Sequence, residues 1–319
     1  MQTIILSGGV GSRLWPLSRK LHPKPFIKLD DGLSILQHTY LRALNVGTSG
    51  IVNVTGKELL FKVKTETDNI LASKHSLVPA NYIIEPFGRG TAAAIALAAL
   101  WINDTHSSDE LMLVMPSDHI IENREQFKLA VDQAKVLAAQ NKLVTLGIMP
   151  TIPETGYGYI EFEANQVIRF VEKPAHEQAL VYLQSGKYLW NSGMLICRAN
   201  VMLQEMALHC PDILEAAKRC YNLSKTVNNQ FVIDQDSLAQ IKEDTIDYAV
   251  MEKSSNIAVV ACDANLGWND IGSWDAFSKT MTADKNNNVI KAESITNKVT
   301  NCYIESNNPN RVIGAIGLD

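Results

Sequence analysis

Three glycines and two cations near the start of the chain have the residue types and the spacing that phosphate binding requires. Gly8, Gly9 and Gly11 closely follow a short apolar run, and Arg13 and Lys24 come after them. Glycine has no side chain, so a turn built from it lets several backbone N–H groups converge on an anion. With two fixed positive charges beside it, such a loop suits the triphosphate of a nucleotide.

Two better-known glycine-rich loops have a different spacing. A dinucleotide-binding fingerprint needs a third small residue where this chain has Leu14, and a P-loop needs Gly-Lys-Ser or Gly-Lys-Thr, which the sequence lacks. An NAD-dependent oxidoreductase would also need an acidic residue after the next strand, where Thr55 and Gly56 stand. An ordinary strand-to-helix turn is the remaining structural alternative.

Polar residues also follow two later apolar runs that read as strands. Asp118 follows residues 111–115, and Glu85, Arg89 and Thr91 lie at and beyond the end of residues 82–85. The carboxyl ends of parallel strands share the sheet edge where α/β proteins bind ligands. One or two carboxylates together with substrate phosphates commonly hold Mg²⁺, so Asp118 is a candidate metal ligand. A turn or helix-cap role is the alternative for Asp118 and Thr91.

The elements that position these residues alternate along the chain. Residues 51–55, 82–85, 111–115 and 143–147 read as strands, and amphipathic or alanine-rich segments between them read as helices. This alternation predicts an α/β protein of Rossmann-like type. We expect a mixed, mostly parallel sheet with helices on both faces.

The segment LSGGVGSRLWPLS followed by HPKPF resembles the signature of the sugar-1-phosphate nucleotidyltransferases, and its tryptophan and PLSR resemble the mannose-1-phosphate guanylyltransferase branch. In that family the loop wraps the triphosphate, the arginine neutralises the departing pyrophosphate and the lysine contacts the reacting phosphate. The resemblance implies catalytic roles for Arg13, Lys24 and Asp118. It implies nucleotide binding by Leu6, Ser7, Gly8, Gly9, Gly11, Ser12 and Arg13.

Later segments resemble further parts of the same family. GYGYI, VEKP and WNSGM are similar to segments that line the sugar-phosphate pocket, which implies that role for Gly158, Glu172, Lys173 and Asn191. Chemically, Glu172 can accept hydrogen bonds from sugar hydroxyls and Lys173 can pair with a phosphate, although a surface ion pair is the simple alternative. The resemblance implies that Asp270 completes the metal site with Asp118.

Base recognition is the part of the resemblance with visible departures. The stretch that contains Glu85, Arg89 and Thr91 resembles the family's base-recognition segment, and a carboxylate suits the N1–H and N2–H donors of guanine. Gly90 stands where asparagine is usual and Ala93 where proline is usual. Another base or another sugar 1-phosphate therefore stays open.

Bulk properties narrow the class of protein. The chain has 319 residues and a net charge of -5, which argues against a general nucleic-acid surface. No apolar run approaches the roughly 20 residues that span a bilayer. The five cysteines are odd in number and lack metal-type spacing, so we expect reduced thiols in a cytoplasmic protein without membrane partners.

We expect a catalytic domain over residues 1–283, with a nucleotide-binding half (1–150) and a sugar-phosphate half (151–283). Residues 284–319 resemble the family's β-helical appendage, here expected to be incomplete and to serve a homodimer contact. The resemblance implies a Mg²⁺-dependent reaction of GTP with α-D-mannose 1-phosphate that gives GDP-mannose and pyrophosphate. The alternatives are transfer to another sugar phosphate, and a non-catalytic regulatory subunit that binds sugar nucleotide.

Overall fold

The structure is a computed structural model that describes residues 1–8 and 12–319. Its strands are β1 (Gln2–Ser7), β2 (Gly50–Gly56), β3 (Ala80–Glu85), β4 (Leu111–Pro116), β5 (Ile120–Ile121), β6 (Leu143–Ile148), β7 (Tyr159–Glu163), β8 (Gln166–Val171), β9 (Tyr188–Arg198), β10 (Lys225–Val227), β11 (Gln230–Val232), β12 (Ile257–Cys262), β13 (Trp268–Asn269), β14 (Val289–Lys291), β15 (Glu293–Val299), β16 (Tyr303–Glu305) and β17 (Val312–Leu318).

The α-helices are α1 (Ile35–Asn45), α2 (Leu60–Ser73), α3 (Gly90–Thr105), α4 (Arg124–Ala138), α5 (His176–Ser185), α6 (Ala199–His209), α7 (Pro211–Leu223), α8 (Gln235–Leu238) and α9 (Trp274–Ser278). Short 3₁₀ turns cover Ser12–Leu14, Lys24–Phe26 and Ala264–Leu266, and Asp247–Met251 forms a π-helical turn. In the part of the chain that the structure describes, every helix is too short or too polar to span a bilayer.

Eleven of the described strands form one sheet in the order β10-β11-β3-β2-β1-β4-β9-β6-β12-β8-β7. The central run β3, β2, β1, β4 is parallel, and β9 lies antiparallel between β4 and β6. Strand β12 then pairs parallel with β6. The prediction of a mixed, mostly parallel α/β sheet is confirmed.

Strand β1 is buried on both of its faces, which explains its continuous apolar run. Ile4 and Ile5 are both fully buried, yet they belong to different core clusters. Successive side chains of a strand point to opposite faces, so Ile4 packs towards α3, α6 and α7 and Ile5 packs towards α1, α2 and α4. The polar end of β1 is thereby left at the carboxyl edge of the sheet.

The last strands form two small parallel pairs, β14 with β16 and β15 with β17. Val299, Ile304 and Ala315 form a separate small core there, whereas Ile295 and Ile316 are exposed. The division of the chain at residues 150 and 283, and the homodimer contact, stay predictions.

Candidate active site

Lys24 lies at the centre of the predicted catalytic residues. Lys24 begins the 3₁₀ turn Lys24–Phe26, and only 7 % of its side chain is exposed. Its Nζ lies 2.7 Å from Asp118 Oδ2 and donates to the backbone carbonyl of Asp270. The fold therefore brings together three predicted residues, Lys24, Asp118 and Asp270, that are far apart in the sequence.

The charge of Asp118 is set by competing effects. Burial on its own raises the pKa of this carboxyl, but His119 and the ammonium of Lys24 outweigh burial and hold the pKa below its ordinary value. Burial also lowers the pKa of His119, although the nearby carboxylate of Asp118 acts to raise it. His119 accepts a hydrogen bond from the indole of Trp268 at 3.3 Å, which fits a structural role.

Asp270 is held by a turn after β13 and by one aromatic side chain. Its Oδ1 accepts hydrogen bonds from the hydroxyl of Tyr157 at 2.8 Å and from the backbone N–H of Gly272 at 2.9 Å. A Cβ on Gly272 would stand 3.1 Å from either carboxylate oxygen of Asp270 and 3.2 Å from Nη1 of Arg13. Arg13, which is exposed, therefore approaches Asp270 across a glycine that leaves room for it.

The donor chemistry of this pair fits a hard divalent cation. Asp118 and Asp270 offer carboxylate oxygens, and among the described residues Oδ2 of Asp270 accepts no hydrogen bond. Within residues 1–8 and 12–319, no group of three or more His, Cys, Asp or Glu side chains is arranged to hold a metal ion. Mg²⁺ commonly uses only one or two carboxylates and completes its coordination with phosphates and water.

A cavity of about 390 Å³ opens beside Asp118 at the carboxyl ends of β1, β3 and β4. Its lining includes four of the predicted nucleotide-binding residues, the predicted metal ligand Asp118 and the unpredicted Asp247; the four are Leu6, Gly8, Glu85 and Thr91. Ser12 begins the exposed turn that carries Arg13, and Gly9 and Gly11 lie outside the described residues. Gly8 and the predicted strand-end residues thus border one pocket.

Three buried hydroxyl groups lie next to each other under this edge. Ser7 pairs with Thr55 in the sheet, and Ser117 follows Pro116, which pairs with Leu6. The hydroxyls of Ser7, Thr55 and Ser117 have no hydrogen-bond partner in the described part of the chain. A buried polar group without a partner is unfavourable by about 1–3 kcal/mol, so these hydroxyls favour a polar ligand or water nearby.

Among the predicted base-recognition residues, Glu85 has a buried polar group that is available to a ligand. It is 8 % exposed, and its Oε1 has no partner among the described residues. Burial raises the pKa of Glu85 to about 7. A ligand that donates hydrogen bonds would both satisfy this carboxylate and favour its ionised form.

Arg89 and Thr91 contact protein backbone instead. Arg89 donates to the carbonyl of Ala239 at 2.7 Å and does not line the cavity, whereas the hydroxyl of Thr91 accepts from the backbone N–H of Ile246 at 2.9 Å. Gly90 has a φ of +78°, and a Cβ there would stand 2.1 Å from the carbonyl oxygen of Asp244. Glycine at position 90 is therefore explained by packing against the segment that leads to Asp247.

The predicted sugar-phosphate residues also lie together. A Cβ on Gly158 would stand 2.6 Å from Oε2 of Glu172, and the carbonyl of Gly158 accepts from the backbone N–H of Asn191 at 2.8 Å. Lys173 pairs with Glu172 at 2.8 Å, and this contact raises the pKa of Lys173. The Lys173 side chain is 64 % exposed, so its ammonium is accessible to a phosphate.

Asp247 is a residue of this site that sequence reasoning missed. Asn191 Nδ2 donates to Asp247 Oδ1 at 2.8 Å, and Asp247 also borders the nucleotide cavity. Burial, with a contribution from the nearby Glu172, raises the pKa of Asp247. Hydrophobic periodicity gave no sign of the π-helical turn that directs this carboxyl inwards.

A larger cavity of about 710 Å³ is lined in part by β5. Its lining includes Asp30, His38, Glu122 and Arg124, and none of the predicted site residues. The smaller cavity, which contains the strand-end residues, is therefore the candidate active site.

Comparisons with known proteins agree with the motifs. The chain matches the nucleotidyl transferase family over residues 2–287. It is 40 % identical over 325 residues to a mannose-1-phosphate guanylyltransferase of Escherichia coli, covering 99 % of this chain and 67 % of the relative. It is 41 % identical over 320 residues to the xanthan biosynthesis protein XanB of Xanthomonas campestris, covering 99 % and 66 %. The chain thus spans about two thirds of the length of these relatives.

Solved structures give the same result. A structure described as a mannose-1-phosphate geranyltransferase from Thermus thermophilus superposes with a TM-score of 0.81 at 27 % identity, covering 99 % of this chain and 90 % of that one. A mannose-6-phosphate isomerase from Helicobacter pylori superposes with a TM-score of 0.73 at 28 % identity, covering 84 % and 98 %. The resemblance seen in the sequence is confirmed: the chain belongs to the nucleotidyl transferase family.

Proposed function

We propose that this protein transfers the guanylyl group of GTP to α-D-mannose 1-phosphate and releases pyrophosphate, giving GDP-mannose. The single observation that carries the proposal is the convergence of Lys24, Asp118 and Asp270 beside a cavity that also contains the buried carboxylate of Glu85. Relatives that are named mannose-1-phosphate guanylyltransferase and align with 99 % of the chain support the choice of substrates.

The reaction exchanges one phosphorus–oxygen bond for another. A phosphate oxygen of mannose 1-phosphate attacks the α-phosphorus of GTP, the bond from that phosphorus to the bridging oxygen breaks, and pyrophosphate leaves with the electron pair. The attacking oxygen is already anionic, so no strong general base is needed. Catalysis then depends on alignment and on stabilising negative charge.

The cationic residues take the charge that the reaction develops. Lys24 is buried and fixed by Asp118 and by the carbonyl of Asp270, so its ammonium is oriented towards the reacting phosphate. Arg13 is exposed and lies beside Asp270, where it would neutralise the departing pyrophosphate. Fixed charges of this kind need no reorganisation during the reaction.

Asp118 and Asp270 are the residues that would hold Mg²⁺. A bound Mg²⁺ would neutralise phosphate charge and help align the attacking oxygen with the α-phosphate. Tyr157 and Gly272 fix Oδ1 of Asp270, which leaves its second oxygen oriented and accessible. Lys24 holds Asp118 ionised, as a metal ligand must be.

Glu85 accounts for the choice of base. The N1–H and N2–H groups of guanine lie side by side, and a carboxylate can accept from both. Adenine and the pyrimidines do not present this pair of donors. Gly90 and Ala93, which depart from the family pattern, have structural explanations here, because Gly90 contacts Asp244 and Ala93 is fully buried inside α3.

The sugar phosphate would bind between Lys173, Glu172, Asn191 and Gly158. Lys173 would pair with the phosphate, and Glu172 and Asn191 would contact sugar hydroxyls. Product analysis tests the proposal: GTP with mannose 1-phosphate is expected to yield a GDP-hexose of the correct mass. Glucose 1-phosphate serves as the comparison, and equal yields from both sugars would reject the proposed sugar selectivity.

A further inference from the structure

Arg42 is a buried charge that none of the roles above uses. It lies on α1 and is 1 % exposed. Burial and, to a smaller extent, the charge of the nearby Arg124 lower its pKa to about 9. Its Nε and Nη1 have no hydrogen-bond partner among the described residues. A protein with an apolar side chain at a buried position is often at least as stable as one with a charged side chain of similar size there. Stability alone therefore does not explain an arginine at position 42.

The hydrogen bonds of Arg42 lead to the segment that carries Asp118. Nη2 of Arg42 donates to the carbonyl of His119 at 3.0 Å and to the hydroxyl of Thr39 at 2.7 Å. That hydroxyl lies 3.3 Å from the carbonyl of Ser117 and 3.2 Å from the carbonyl of Ile35, to either of which it can donate its single proton. Contacts from one helix face therefore hold the backbone immediately before and after Asp118.

The same helix also holds the segment that carries Lys24. The backbone N–H of Ile35, at the start of α1, donates to the carbonyl of Ile27 at 3.1 Å. Ser34 and Gln37 cap this end of α1 with reciprocal hydrogen bonds, which fixes where the helix begins. One rigid element thus contacts both segments of the Lys24–Asp118 pair.

We propose that Thr39 and Arg42 are positioning residues that fix the backbone on both sides of Asp118 and so set its placement relative to Lys24 and the reacting phosphates. Only the kinetic consequence rests on the function proposed above. A displacement of the order of 1 Å at a reacting centre can reduce the rate by about 100-fold. The effect should therefore appear in kcat rather than in binding of the base.

The primary test compares Thr39→Val, which removes the hydroxyl at nearly constant size, with Thr39→Ser, which retains it. We expect Thr39→Val to lower kcat by about 10- to 100-fold and to raise the Mg²⁺ concentration for half-maximal rate, with the KM for GTP within about 2-fold of wild type. Thr39→Ser should restore most of the rate. Arg42→Lys, which keeps the charge and loses the planar fork, should behave like Thr39→Val.

The control for general destabilisation is Ile213→Val, which alters a buried side chain of α7 in the other core cluster. Backbone amide exchange of residues 116–121, measured by mass spectrometry, is the readout that requires neither substrate nor metal. We expect faster exchange of this segment in Thr39→Val and in Arg42→Lys than in Ile213→Val.

The two readouts separate the possible failures. If wild-type protein releases no pyrophosphate but exchange of residues 116–121 is selectively faster in Thr39→Val, the proposed function fails and the positioning role stands. If exchange in Thr39→Val matches that in Ile213→Val, the positioning role is overturned, whatever the enzyme does. An equal loss of kcat in Thr39→Ser and Thr39→Val would also overturn it.

Discussion

The ammonium of Lys24 lies 2.7 Å from Oδ2 of Asp118, and both side chains are largely withdrawn from solvent. Each residue determines the electrostatic environment of the other, since Lys24 helps to hold the pKa of Asp118 below its ordinary value. The backbone of Asp270 accepts from the same ammonium, so Lys24 and the two predicted metal ligands meet at one point. Substitutions at these positions should therefore affect chemistry more than they affect folding.

Asp118→Asn and Asp270→Asn should each reduce turnover by about 100-fold or more, because each removes one of the two carboxylates that would hold Mg²⁺. Steady-state rates at several Mg²⁺ concentrations provide the measurement. Asp132→Asn is the matched control, since Asp132 pairs with Lys128 and Lys135 on the surface of α4, away from the candidate site. Wild-type rates for Asp118→Asn or Asp270→Asn at saturating Mg²⁺ would remove that residue from the metal site.

Glu85→Gln should change how stability depends on pH. Burial raises the pKa of Glu85 from 4.5 to about 7, so the folded protein binds more protons than the unfolded chain between those values. The free energy of unfolding contributed by this group therefore falls as the pH rises through that window, by about 3 kcal/mol in total.

Glutamine does not titrate, so the variant should gain stability relative to wild type between pH 5 and pH 8. Chemical denaturation at both pH values measures the difference. If the free energy of unfolding depends on pH in the same way in Glu85→Gln and in wild type, the pKa of the Glu85 carboxyl is not raised in the folded protein.

Gly90→Ala should destabilise the protein and the segment before Asp247. The left-handed φ of +78° destabilises the folded state by about 1–2 kcal/mol when the residue is not glycine. The added Cβ would also stand 2.1 Å from the carbonyl oxygen of Asp244, and this overlap would lower the free energy of unfolding by about 2 kcal/mol more. Gly186→Ala is the control, because Gly186 has a φ of +64° and a Cβ added there would meet nothing within 4 Å. Equal losses of unfolding free energy in the two variants would contradict the contact with Asp244.

Lys173→Ala should raise the KM for mannose 1-phosphate by about 10-fold while leaving the KM for GTP and the melting temperature nearly unchanged. A charge-assisted hydrogen bond to phosphate contributes roughly 1.5–3 kcal/mol, and the exposed side chain adds little to stability. Lys187→Ala, an exposed lysine just before β9, is the control. An unchanged KM for mannose 1-phosphate in Lys173→Ala would leave the Lys173–Glu172 contact as a surface ion pair.

The sequence predicted those parts of the site that depend on strand ends and local motifs. Alternating strands and helices predicted the α/β sheet, and the glycine loop and Asp118 were expected at one edge because parallel strands end there. Asp270 came from the resemblance alone. Its meeting with Lys24 depends on β13 pairing with β5, a two-residue contact that no sequence pattern indicates.

The features that the sequence did not predict arise from tertiary packing. Asp247 enters the site through a π-helical turn, and Arg42 reaches the Asp118 segment from a helix that otherwise packs as an ordinary amphipathic element. Arg89 was expected to contact the nucleotide base, yet its guanidinium donates to the carbonyl of Ala239. Local spacing identifies which residues have suitable chemistry, whereas the packing between elements determines which of them face the ligand.

The proposed function is tested most directly by the initial rate of pyrophosphate release by the purified protein with Mg²⁺ and mannose 1-phosphate, compared across GTP, ATP, UTP, CTP and dTTP. We expect a strong preference for GTP, because guanine alone presents two adjacent donors to the carboxylate of Glu85. A preference for another triphosphate would keep the mechanism and reject the assignment of the base. Absence of pyrophosphate release with every triphosphate would contradict the proposed function.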